Sequence, residues 1–381
     1  MSGDRGGEVV GSPAGRLVGG AGSGDDGAGA SEGPGGGPTD GAGVTDGAGA
    51  SRASQGGAGA DRLNTGSPAA CSRTEPAAVR ARGGGLLVVG DVVTDVIARH
   101  RGPLAAGTDT VAAVRTVPGG AGANVACWAA YRGCADVRLL GRVGSDAAAW
   151  HERELIAGGV RPRLVIDPRA PTGTVICLVD GDAAAERTFL TDSGASLRLE
   201  PGDWCEALLD GVSHLHLSGY LLFSEPSRAL VAAALRSARA RGVPVSLDPA
   251  SAGFLVRLGA DRFLELVAGV DVLLPSRDEA CLLTGEPDPA AAAAELSRHV
   301  PLVVAKQGAD GALVARSGAV RARIPAPRTT ARDTTGAGDA FTGAFLAALL
   351  TGADAEDAAR EGCRAGAAAV VRVGGRPPTP R

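Results

Sequence analysis

An α/β fold built on a mostly parallel sheet, with helices on both of its faces, is predicted by three features of the sequence. Strand-like and helix-like segments alternate from Val212 to Leu217, Pro226 to Arg241, Val243 to Leu247, Phe254 to Ala268 and Val270 to Leu274, and repeated βα units of this kind close into a parallel sheet. Short apolar runs ending in glycine, such as Leu86-Leu87-Val88-Val89-Gly90, suit strands buried on both faces. Two Gly-rich turns, Pro118 to Ala126 and Asp333 to Phe341, open apolar helices. In such sheets ligands bind beyond the C-terminal strand ends, where Gly90, Asp95, Asp248 and Ser276 all fall.

Taken in order, the chain begins with a segment that cannot build a core. Residues 1–84 are dominated by Gly, Ala, Ser and Asp, as in Gly41-Ala42-Gly43-Val44-Thr45-Asp46-Gly47-Ala48. Ordering them would cost backbone entropy with little apolar surface to bury. They are predicted to be a disordered extension, and residues 85–381 the folded domain. Leu86 to Val89 is its first strand, followed by Asp91 and Asp95. Residues 96–117 are too irregular for a helix, Val125 to Tyr131 reads as a helix, Val137 to Val143 as a strand and Ala147 to Ala157 as a helix. Residues 173–179 and 186–190 are strand-like. Beyond the βα units, Leu302 to Ala305 is a strand leading to a turn at Gly308, and Glu356 to Val371 an Ala-rich helix ending at Arg372-Val373-Gly374-Gly375.

The chemistry is concentrated in Asp333-Thr334-Thr335-Gly336-Ala337-Gly338-Asp339 and the helical run Thr342 to Leu350. Gly336 and Gly338 permit a tight turn with bare N–H groups, and a helix start adds its positive dipole end, so the stretch suits a phosphate. Asp339 would repel that anion, which makes it a candidate catalytic carboxylate rather than a binding group. An aspartate so placed can accept the proton of an attacking hydroxyl while Gly336, Ala337 and Gly338 steady the transferred charge. The bland alternative is a Gly-rich turn with a helix cap, and the second loop, Pro118-Gly119-Gly120-Ala121-Gly122-Ala123-Asn124, decides between them.

In this order and at this separation the two loops resemble the two signatures of the PfkB (ribokinase-like) family of carbohydrate and nucleoside kinases, over roughly residues 85 to 375. The resemblance implies a ribokinase-like three-layer α/β/α fold, with a mostly parallel central sheet and a small β-sheet lid from insertions at about 96–118 and 161–191. It implies ATP-dependent phosphorylation of a primary hydroxyl of a sugar or sugar acid, with Asp339 as general base. A nucleoside kinase on the same fold is the first alternative, and a non-catalytic sugar-binding sensor the second. Asp95, Gly119, Gly120 and Asn124 match the sugar-holding positions, a carboxylate being suited to accept two hydroxyl protons. Arg187 would reach inward from the lid or lie on its surface.

Pro275-Ser276-Arg277-Asp278-Glu279 is similar to the family's Asn-x-x-Glu motif, with Ser276 in place of Asn. Glu279 would hold Mg2+ through water, or serve only as a helix-start carboxylate. Lys306, the only lysine in the chain, and Gly308 fall on the nucleotide side. Asp333 and Thr335 match positions around a K+ ion. Ala121 stands where the ribokinase subgroup often has lysine, which puts ribose in doubt. Aromatic residues are 3% of the chain and only Trp128 and Tyr131 lie near the motifs, so partners for a nucleobase are expected to be scarce and a free sugar or sugar acid with a primary hydroxyl is expected to react faster than any nucleoside. Relatives often pair through the lid, which implies a homodimer.

Other classes are disfavoured. With 38 Lys+Arg against 42 Asp+Glu, a formal net charge of -4, and dispersed basic residues, nucleic acid is not the expected partner. No run approaches the roughly 18 apolar residues needed to cross a bilayer, and the start Met1-Ser2-Gly3-Asp4-Arg5 has no leader pattern, so no membrane association and a cytoplasmic location are expected. The 7 cysteines show no metal spacing. There is no Walker A sequence.

Overall fold

The computed structural model describes residues 84–180 and 187–378; apart from Gly84, the extension expected over residues 1–84 lies outside them. The chain enters through β1 (Gly85–Val89), β2 (Val93–His100), β3 (Ala112–Gly119), α1 (Ala121–Tyr131), β4 (Val137–Gly144), α2 (Ala148–Ala157), β5 (Val160–Asp167), β6 (Thr172–Asp180) and β7 (Arg187–Gly194). It continues through β8 (Val212–Ser218), α3 (Glu225–Arg241), β9 (Val245–Asp248), α4 (Ala252–Leu258), α5 (Ala260–Leu266), β10 (Val272–Leu273), α6 (Arg277–Thr284) and α7 (Pro289–His299). The hairpin strands β11 (Leu302–Lys306), β12 (Ala312–Arg316) and β13 (Ala319–Ile324) precede α8 (Ala337–Leu350) and α9 (Ala355–Ala369).

Nine strands form one sheet in the order β13-β12-β11-β10-β9-β8-β1-β4-β5. Pairing is parallel from β11 through to β5, and antiparallel only at the β11–β12–β13 edge. Side chains alternate across it. On β1, Leu86 and Val88 join one core cluster with α1, α2, α8 and α9, whereas Leu87 and Val89 join a second with α3 to α7. Burial on both faces explains why β1 reads as an unbroken apolar run, and the result is the expected ribokinase-like three-layer α/β/α arrangement. A separate four-stranded sheet, β3-β2-β6-β7, supplies the expected small sheet. No helix among the described residues is long and apolar enough to cross a membrane.

Several boundaries differ from expectation. The first small-sheet segment starts at Val93 rather than about 96, because β2 is already paired along its full length with β3 and β6. The second starts at Thr172 rather than about 161: residues 160–167 pair with β4 as the edge strand of the large sheet. The single helix expected from Phe254 to Ala268 is two, α4 and α5, parted at Gly259, whose φ of 86° leaves the helical region.

Candidate active site

Asp91, just past β1, organises the first wall. Its carboxylate accepts the Ala121 N–H at 2.6 Å, the Gly122 N–H at 3.2 Å and the Ser218 hydroxyl at 2.7 Å, so it caps α1 and ties that helix to the end of β8. Glycine is required at this junction. A Cβ on Gly122 would lie 2.7 Å from Gly90 Cα, and Gly120, with φ 97°, would press one to 2.4 Å from Asp91 O. A Cβ on Gly119 would enter the Asp95 carboxyl at 2.3 Å. Gly119 thus makes room behind Asp95, while Gly120 is on the cavity wall.

Asp95, on β2, is 92% buried, the complement of its 8% exposure. No described group donates a hydrogen bond to it. Burial, together with the nearby Asp91 charge, pushes its carboxyl up to about 7, although Arg376 acts in the opposite direction. Asn124, in the first turn of α1, is oriented by Arg376: the guanidinium Nε donates to Asn124 Oδ1 at 3.0 Å, and Asn124 Nδ2 then donates to Asp339 Oδ2 at 2.9 Å. Arg376 also donates to Gly119 O at 3.3 Å and to Cys127 Sγ at 3.1 Å. The segment carrying it is pinned by Trp128, whose indole N–H donates to Gly375 O at 2.8 Å.

Asp339 lies in the first turn of α8, which starts at Ala337 rather than Thr342 after a left-handed Gly336 with φ 71°. Ala337 N–H turns to Thr334 O at 3.3 Å, while the N–H groups of Gly338 and Asp339, so near the helix start, have no intrahelical acceptor. The carboxyl keeps some accessible surface, yet protein surrounds it closely enough that desolvation pushes it up to about 7. The Asn124 hydrogen bond opposes this shift and the Asp248 and Asp91 charges add to it.

Beyond Asp339, Lys306 Nζ donates to Asp248 Oδ2 at 2.5 Å, and Thr342 Oγ1 donates to the same oxygen at 2.9 Å. Burial works against the ammonium but Asp248 and Glu279 outweigh it, so Lys306 titrates above its ordinary value. Ser276 caps α6, and Glu279 closes a reciprocal capping box by accepting the Ser276 N–H at 2.7 Å. Serine in place of Asn thus keeps the cap oxygen. Burial and then Asp248 raise the Glu279 carboxyl. Asp333 accepts Thr335 N–H at 2.8 Å and Gly374 N–H at 3.0 Å, whereas the buried Thr335 Oγ1 has no partner among the described residues.

These groups line three adjoining cavities. One, of about 590 Å³, lies between the small sheet and the strand ends and is bounded by Asp91, Asp95, Asn124, Tyr220, Phe254 and Asp339. A second, of about 340 Å³, is bounded by Ser276, Glu279, Lys306, Gly308, Gly338 and Asp339. A third, of about 530 Å³, has an apolar wall of Ala326, Pro327, Phe341, Ala367 and Val370, and meets Lys306, Ala337 and Gly338. Asp339 and Gly336 border both the first and the second.

The expected residues therefore converge, with three exceptions: Gly119, expected to hold the sugar, backs Asp95 instead of lining the cavity. Asp333 lies behind the loop as a buried acceptor, and Arg187 opens β7 with its side chain outside the described residues. The expected scarcity of aromatic partners is corrected: Phe189, Tyr220 and Phe254 line the large cavity, brought there from segments far from either loop. Asp91, Asp248 and Arg376 had no assigned role in the sequence. Asp91 lies just past β1 and Asp248 is the last residue of β9, strand-end positions that the sequence already marks for Asp248; Arg376 follows the Gly374-Gly375 turn and has no local signal.

Residues 85–381 match the family described as pfkB family carbohydrate kinase. The chain is 34% identical to the fructokinase of Klebsiella pneumoniae over 278 residues, covering 70% of this chain and 84% of that protein. It is 33% identical over 296 residues to the ATP-dependent ribose-1-phosphate kinase of Halopiger xanaduensis, covering 76% of this chain and 93% of that protein. A structure from Escherichia coli, termed a ribokinase II and in complex with ATP and Mg2+, superposes with a TM-score of 0.68 at 25% identity, covering 77% of this chain and 94% of that one. The fold, the two glycine loops and these likenesses agree: the chain belongs to the PfkB family of carbohydrate kinases, ATP-dependent phosphotransferases.

Proposed function

We propose that this kinase transfers the γ-phosphoryl group of ATP to a primary hydroxyl of a sugar, with Asp339 as the general base. The observation that carries this reading is the position of Asp339 where the large cavity meets the smaller one at the start of α8. An acceptor in the large cavity directs its hydroxyl to Asp339, which takes the proton. The hydroxyl oxygen bonds to the γ-phosphorus as the bond from that phosphorus to the β,γ-bridging oxygen breaks, and ADP leaves. Asn124, aimed by Arg376, holds the Asp339 carboxylate in place. The Gly338 and Asp339 N–H groups at the start of α8 stabilise the transferred charge, the expected Ala337 N–H being turned to Thr334 O instead, and Lys306 adds a positive charge fixed by Asp248. Asp95 accepts hydroxyl protons from the sugar.

The small sheet serves as the lid that keeps water from the phosphoryl group. ATP fits with its base against the apolar wall of the third cavity. Among the described residues no three His, Cys, Asp or Glu side chains are arranged as a metal cage. That suits Mg2+, which keeps several waters and binds chiefly to phosphate oxygens, with Glu279 reaching it through water; it would neutralise charge on the phosphates. The unpartnered Thr335 hydroxyl beside Asp333 fits an oxygen-bound K+. A second reading, a nucleoside acceptor, is favoured by Phe189, Tyr220 and Phe254 on the cavity wall. A coupled ADP-release screen across sugars and nucleosides tests both. Sugar-dependent ADP release supports the first reading, a nucleoside with the highest kcat/KM the second, and no acceptor-dependent release contradicts both.

A further inference from the structure

Resting on the reading of the large cavity as the acceptor site, we propose that it selects an uncharged acceptor and rejects sugar acids and sugar phosphates. Every charged residue among its described lining residues is acidic: Asp91, Asp95 and Asp339. Asp91 is already held by two N–H groups and a hydroxyl, and Asp339 by one amide. Asp95 is 92% buried, from an exposure of 8%, and accepts nothing from the described protein. It therefore needs donors from a ligand, and hydroxyl groups supply them while a carboxylate or phosphate brings acceptors and a like charge.

Among the described side chains, the basic groups nearest this acidic wall make their hydrogen bonds and ring contacts elsewhere. Arg376 spends its guanidinium on Asn124, Gly119 and Cys127. Lys306 is paired with Asp248 on the far side of Asp339, and Arg257 lies 4.4 Å over the Phe254 ring. The rest of the wall is neutral, with Thr191, Ser193 and Ser251 as polar members and Val175, Phe189 and Tyr220 as apolar ones. A negatively charged acceptor would meet three carboxylates and no cation among the described lining residues, and burying an anion against like charge is disfavoured.

The test is calorimetric titration of the full chain with acceptors paired in shape and differing in charge: an aldose with its aldonic acid, ribose with ribose 1-phosphate, and a riboside with its 5′-phosphate. The neutral member of each binding pair should bind at least tenfold more tightly. Ser193→Arg, which adds a cation to the wall, should narrow that ratio by tenfold or more for the acid pair. An acid or phosphate that binds as well as its neutral counterpart overturns the proposal, as does saturable binding by no neutral acceptor. ADP release is read separately on the same pairs: neutral preference in binding with no turnover would contradict phosphotransfer and leave the charge selection standing.

Discussion

Burial raises the carboxyls of both Asp339 and Asp95 to about 7, and the two shifts are read out differently. A general base works only when ionised, so kcat should fall as pH drops through about 7, and a rate profile from pH 5 to 9 checks it. Asp95 bears on stability. Its carboxyl has an ordinary value of 3.8 when unfolded and about 7 when folded, so the folded state binds the proton more tightly. Its stabilising contribution is fully present below the unfolded value and is lost as pH rises through the folded one. Asp95→Asn should therefore raise stability at pH 8 by on the order of 2 kcal/mol, with little change at pH 4, while weakening acceptor binding; thermal melts at the two pH values check this. Asp339, Asn124 and the loop glycines were legible because helix starts and tight turns are written in consecutive residues. Arg376, Tyr220 and Phe254 were not, since only long-range packing brings them to the cavity.

At the scale of elements, the alternating strands and helices were legible from period and glycine punctuation, because burial on both sheet faces leaves continuous apolar runs. Edges were less so: β5 and the small-sheet strands are all short and β-rich, and which sheet each joins is decided by pairing partners distant in sequence. The same dependence makes the segment after α9 an element of the site. It meets α1 through Trp128 and Arg376, and a Cβ on Gly375 would lie 2.4 Å from Asn124 Nδ2. Gly375→Ala should push that amide off Asp339 and lower kcat at least about tenfold, with KM for ATP less affected. Steady-state kinetics with both substrates varied would reveal it.

For the whole molecule, the two core clusters are built from residues between Leu86 and Cys363, and the Gly-rich composition of residues 1–84 offers little to add to them. Deleting residues 1–82 should leave Tm and kcat/KM within error of the full chain, as calorimetry and the coupled assay would register. The sequence carried the three-layer architecture and the meeting of two glycine loops. It could not carry the charge of the cavity they enclose, because Asp91, Asp95 and Asp339 become one acidic wall only after the sheet brings β1, β2 and α8 together. That phosphotransfer depends on Asp339 is tested most directly by kcat of Asp339→Asn, which preserves the shape and removes the proton acceptor. Turnover should fall about a hundredfold or more, with acceptor affinity nearly unchanged; turnover within a few-fold of the parent would contradict it.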